Sequence, residues 1–187
     1  TMLILSRIQA KTPGGGYART FVTQMEEVMG ECLDKNIKVV SNAGGLNPQG
    51  CADAVQEIAD RLGLNPSIAY VAGDDLAPRL NELIEAGNDF SHLDTGESLG
   101  DLADRIVTAN AYIGCWGIVE ALNQGADIVV TGRATDAAVV AGPAAWYHGW
   151  QRDDWDALAG AIVAGHVIEC GGQATGGNYS FFTEIED

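Results

Sequence analysis

The chain has 187 residues, 47% apolar and 19% charged, with a net charge of −16 from 26 acidic against 10 basic side chains. That length buries a real core, with one domain as the default, and its longest apolar runs fall short of the roughly 20 residues that cross a bilayer. The charge excludes a nucleic-acid surface, which needs a basic patch, and disfavours an anionic membrane, yet leaves room for a small anionic ligand held locally by a helix N-terminus or an arginine.

Residue 1 is a threonine, and Met2-Leu3-Ile4-Leu5 reads as the interior of a helix running to Lys11. Ser180–Asp187 is strand-like without a closing turn, so the expectation is a single α/β domain over 1–187 that is an internal fragment of a longer one. Thr12-Pro13-Gly14-Gly15-Gly16 breaks the first helix. Tyr17–Asn36 carries Phe21, Val22, Met25, Val28, Met29, Cys32 and Leu33 at helical spacing. Short apolar runs at Ile37–Ser41, Ile68–Ala72 and Asp127–Thr131 predict strands. Helices are predicted over Pro48–Gly63, Leu76–Ala86, Gly117–Gln124, Asp136–Trp146 and Trp155–Ala164. Gly87–Gly100 reads as a surface excursion, Leu102–Tyr112 as either helix or strand, and His166–Cys170 as extended. Strands alternating with helices predict β-α-β units. The expected architecture is a Rossmann-like three-layer α/β sandwich with a mainly parallel sheet, whose ligands bind beyond the carboxyl ends of the strands.

The loops at those ends carry the candidate ligand contacts. In Asn42-Ala43-Gly44-Gly45-Leu46-Asn47-Pro48, Asn47 suits an N-cap and Pro48 the first helical position. Gly44 and Gly45 serve either the turn alone or the close approach of a ligand, and Asn42, just after the strand, tilts the balance to a ligand. In Gly132-Arg133-Ala134-Thr135-Asp136, Thr135 can cap the next helix, while Arg133 suits a carboxylate or phosphate, with Asp136 as the alternative partner. Asp74-Asp75 offers paired carboxylates for a cation or a shared proton, against helix capping and solvation. Asn110 and Tyr112 fall near the same crevice, with plain packing the simpler reading. His166, Glu169 and Cys170 are acid–base and nucleophile types. On an extended segment, however, Glu169 would face away from the other two.

The absences matter too. There is no G-x-G-x-x-G, so the usual NAD fingerprint is missing, nor any G-x-S-x-G elbow or H-E-x-x-H. The four cysteines form no C-x-x-C pair, so no metal site is expected from them, and a reduced cytoplasmic protein is. Trp146, Trp150 and Trp155, with Tyr147 and His148, form an aromatic cluster suited to core or subunit contact.

Taken in order, Gly16-Tyr17-Ala18, Ser41–Pro48, Gly73-Asp74-Asp75, Ala109–Gly114, Ile128–Asp136 and Gly165–Gly177 resemble the AtuA family, the acyclic terpene utilisation proteins. The resemblance implies a cytoplasmic protein of branched terpenoid acid breakdown, handling those acids as coenzyme A thioesters. It brings no catalytic assignment of its own. The resulting expectation is binding or turnover of an acyl-CoA or related carboxylate. Asn42, Gly44, Gly45, Asn47, Asn110, Arg133 and Thr135 are the ligand contacts, and His166, Glu169 and Asp74 the acid–base candidates. Coenzyme A enters only as part of a substrate. The alternative is a non-catalytic subunit or binding module paired with a carboxylase or hydratase. Either reading allows a homo-oligomer or a subunit of a catabolic complex, with neither nucleic acid nor membrane as partner.

Overall fold

The computed structural model describes residues 2–171; the side chains of Asp101, Ala103, Asp104 and Cys170 lie outside the description, as do the strand expected at Ser180–Asp187 and the glycine-rich stretch from 172 on. The fold is mixed α/β, built on a parallel three-stranded open sheet. The strands are β1 (Val39–Gly45), β2 (Ile68–Val71) and β3 (Ile128–Gly132), in the order β1-β3-β2. The helices are α1 (Met2–Lys11), α2 (Arg19–Asp34), α3 (Pro48–Leu62), α4 (Leu80–Glu85), α5 (Trp116–Asn123), α6 (Ala138–His148) and α7 (Trp155–Cys170).

β3 takes the central position because its apolar run suits a strand covered on both faces, and every residue of it is buried. Side chains alternate along it. Ile128 and Val130 pack with Met25, Met29, Cys51, Val55 and Ile58 of α2 and α3, whereas Val129 packs on the other face with Ile118, Leu122, Ala138 and Ala141 of α5 and α6. Asp127 ties the strand starts together. Its carboxylate accepts from Lys38 Nζ at 2.8 Å and from the Ser67 backbone N–H at 2.9 Å, and these bonds hold it below the usual carboxylate range.

The start of α3 follows from its sequence. Asn47 Oδ1 accepts from the Gly50 N–H at 2.9 Å, Pro48 opens the helix, and Gly63 closes it with a left-handed φ of 69°. Three expectations need correction. β1 does not stop at Ser41 but runs on through Asn42 to Gly45, with a register shift between Ser41 and Gly45. Tertiary bonds extend it, since Ala18 N–H donates to Ala43 O at 2.8 Å and Leu46 N–H to Gly16 O at 2.9 Å. Thr135 does not cap α6; the cap position is Ala137, without a side-chain bond. Finally, His166–Cys170 is not extended but completes α7. Gly165, which reads as a breaker, instead lets α7 approach α6: a Cβ there would stand 2.8 Å from Ala137 Cβ.

The segment 87–114 is an excursion whose Gly100–Arg105 forms a short 3-10 helix. It returns along the strand ends through an antiparallel bridge between Asn110 and Asp75 and a parallel one between Ile113 and Ala134.

Candidate functional site

Two constructions share the carboxyl edge of the sheet. The first lies beyond β2 and β3. Asp74 is 3% exposed, and its Oδ2 accepts from the Arg133 backbone N–H at 2.7 Å and from Asn110 Nδ2 at 3.0 Å. Its carbonyl accepts from the Ala111 N–H at 2.7 Å. A buried carboxylate needs such donors, since desolvating it without them is costly. Gly132 is a glycine because a Cβ there would strike the Asp74 carboxylate. This clamp fixes the backbone from which the Arg133 side chain leaves.

The second construction is a cavity of about 260 Å³ beyond β1 and β3, lined by Met2, Leu5, Ala18, Asn42, Ala43, Gly45, Gly132, Arg133, Asp136 and Glu169. The Arg133 side chain is 22% exposed. Its Nη2 donates to Asp136 Oδ1 at 2.9 Å, and the Tyr112 ring covers its guanidinium at 4.4 Å. Its Nε is buried with no hydrogen-bond partner among the described residues. Buried donors are satisfied as a rule, so an orphan of this kind needs a reason. The wall thus combines a partly committed guanidinium, a primary amide, two carboxylates and an apolar side from α1.

A family model, acyclic terpene utilisation family protein AtuA, matches residues 1–187. The chain belongs to the AtuA family. No curated protein and no solved structure matches it. In this AtuA chain the first five of the blocks that carried the resemblance meet along the carboxyl edge of the sheet. Gly16 and Ala18 bond the end of β1, Gly45 pairs with Gly132, and Asp74 joins Asn110 to Arg133.

The structure brings some of the expected site residues to the two constructions and leaves the others outside both. Asn42, Gly45, Arg133 and Glu169 come together at the cavity. Asp74 and Asn110 belong to the clamp. Gly44 is held by packing, since a Cβ would sit 2.5 Å from Thr131 O. Asn47 caps α3 and also donates from Nδ2 to Gly14 O at 3.0 Å and Gly15 O at 3.2 Å. Thr135 bonds through its backbone, N–H to Ile113 O and carbonyl to the Ala138 N–H. His166 is exposed on α7, with Nδ1 3.3 Å from Ile162 O, and stands outside the cavity lining.

The α1 wall of Met2 and Leu5 was not legible beforehand, nor was Ala18 as a lining residue. The only trace of them was the break at Thr12–Gly16, which turns α1 back over the sheet edge. Among the described residues, no three His, Cys, Asp or Glu side chains gather as a cation site, and no helix is long and apolar enough to cross a membrane. Burial pushes the Cys51 thiol up to about 12 and the Cys115 thiol upward as well, which leaves both poor nucleophiles.

Proposed function

We propose that this AtuA chain binds and acts on an acyl-CoA or related carboxylate of acyclic terpenoid or branched-acid breakdown, in the cavity beyond β1 and β3. Family membership points to acyclic terpene utilisation. The observation that carries the rest is Arg133, an arginine with an unsatisfied Nε beside Asn42 and an apolar wall. Ligand sites of this kind pair an apolar lining with a few fixed polar groups, in volumes of about 300–1,000 Å³ for drug-sized molecules. At about 260 Å³ the cavity suits an acyl group rather than a nucleotide. The position also matches the rule for open parallel sheets, and with helices on both sheet faces we read the fold as a Rossmann-like three-layer sandwich.

Of the acid–base candidates, Glu169 is the one at the cavity wall, so we assign it the proton-handling role. Asp74 spends its carboxylate on the clamp and acts by positioning Arg133. The test is a thermal-shift panel of free coenzyme A, branched acyl-CoAs and their free acids. A ligand at 100 times its Kd raises stability by about 2.7 kcal/mol. Arg133→Ala should weaken such binding by about 1.5–3 kcal/mol; an unchanged affinity removes Arg133 from the site.

A second reading, a non-catalytic subunit beside a carboxylase or hydratase, draws on α7. Trp155 is 71% exposed there, and Val163, Val167 and Ile168 also face outward. It expects a stable complex on native purification and ligand binding without turnover.

A further inference from the structure

A separate cavity of about 290 Å³ lies beyond β2. The chain between α4 and α5 carries only one short 3-10 helix, and a connection that long is more often functional than idle. It returns against the start of α4, and the cavity forms between the two. Leu76 and Leu80 come from the α4 side, Phe90, Leu99 and Ile106 from the excursion. The backbone is pinned where they meet: the Leu76 N–H donates to Ala109 O at 2.7 Å, and Asp75 bridges to Asn110. The polar groups are few, Thr108 and Asn110. Asn110 Nδ2 donates to Asp74 Oδ2 at 3.0 Å, which fixes the amide with its nitrogen toward the carboxylate and leaves its oxygen as an acceptor. Thr108 adds a hydroxyl, able to donate or accept. Among the described residues no charged side chain lines the cavity. An anion at the Asn110 amide would also approach the Asp74 carboxylate behind it, a like charge. An alcohol meets neither obstacle, because its O–H donates to an amide oxygen and its oxygen accepts from a hydroxyl.

We propose that this cavity is a second ligand site, for a short uncharged aliphatic alcohol whose chain lies among the leucines and whose hydroxyl is held by Asn110 and Thr108. An apolar lining with a small number of fixed polar groups is the usual composition of a small-molecule site. The place beyond a strand's carboxyl end is where open parallel sheets take their ligands. The site uses none of the residues that line the cavity beyond β1 and β3, so it stands or falls apart from the acyl-CoA reading.

The test is an amide-resolved NMR titration of the full chain with 3-methylbutan-1-ol, set against 3-methylbutanoate at neutral pH. The alcohol should shift Leu76, Leu99, Ile106, Thr108 and Asn110, and the acid should bind about tenfold or more weakly. One further CH2, in 4-methylpentan-1-ol, should tighten binding about fourfold. Thr108→Val keeps the side-chain shape without the hydroxyl and should weaken 3-methylbutan-1-ol about fivefold. Ala109→Leu fills the cavity while keeping the backbone bond to Leu76, and should abolish binding. If Ala109→Leu does not fold, wild type and Thr108→Val decide. The proposal is overturned if the alcohol leaves these five residues unmoved, if the acid binds as tightly as the alcohol, or if the folded variants bind like wild type.

Discussion

The clamp at the ends of β2 and β3 and the cavity at the ends of β1 and β3 use the same chemistry to opposite ends. Each has an aspartate, an asparagine and a part of Arg133. In the clamp, Asp74 is buried and its Oδ2 is taken up by the Arg133 backbone and by Asn110. In the cavity, Asp136 is half-exposed, the guanidinium keeps an unpartnered Nε, and Asn42 faces open space. Residue type does not separate architecture from site here. What separates them is whether hydrogen-bonding capacity has been used up inside the fold. One residue serves both, with the Arg133 main chain in the clamp and its side chain in the cavity.

The comparison breaks most visibly at Asp74. Asp74→Ala leaves the Arg133 N–H and the Asn110 amide buried without an acceptor, and should cost about 3 kcal/mol in urea unfolding. A loss below about 1 kcal/mol would mean the clamp is not structural. Asn47→Ala removes the α3 cap and the bonds to Gly14 and Gly15; about 1–2 kcal/mol should be lost in the same assay. Arg133→Ala sharpens the contrast. It keeps the backbone N–H to Asp74 and loses only a partly exposed ion pair and a ring contact, so stability should fall by no more than about 1 kcal/mol while ligand binding falls far more.

The smallest effect concerns Asp127, which joins the strand starts at the other end of the sheet. Its folded pKa is depressed by Lys38 and the Ser67 N–H. Its contribution is therefore present above the unfolded carboxylate value near pH 4 and is lost as pH falls through the lower folded value. In acid titrations followed by urea unfolding, wild type should lose more stability below about pH 4 than Asp127→Asn does. Parallel curves would show that the contact is solvent-screened.

Much of this was legible in the chain. The apolar run at Asp127–Thr131 announced a strand, which the structure places at the centre of the sheet, and Asn47-Pro48 with Gly63 bracketed α3 closely. Two of the three lapses share one cause, glycines whose reason lies elsewhere in the fold; the third, Thr135, fell two residues short of the cap position at Ala137. Gly44 and Gly45 read as a loop because nothing local reveals that Thr131, Leu5 and Gly16 press against them. Gly165 read as a helix end because its neighbour Ala137 is 28 positions away in the chain. The site was legible in part. Arg133, Asn42 and Glu169 could be singled out as reactive types, and Asp136 was weighed as the arginine's partner. Residue types alone could not show that Asp74 would spend its carboxylate on the backbone of Arg133. That took the bridge between Asn110 and Asp75, formed across a 35-residue separation.

The most direct test of the ligand site is an amide-resolved NMR titration of the full chain with a branched acyl-CoA and its free acid. The account predicts shifts concentrated at Asn42, Ala43, Gly45, Gly132 and Arg133, with Glu169 following. Trp116, Trp150 and Arg152, which line a separate open bowl beside α5, should stay still. Shifts gathered at that bowl, with the ends of β1 and β3 unmoved, would contradict it.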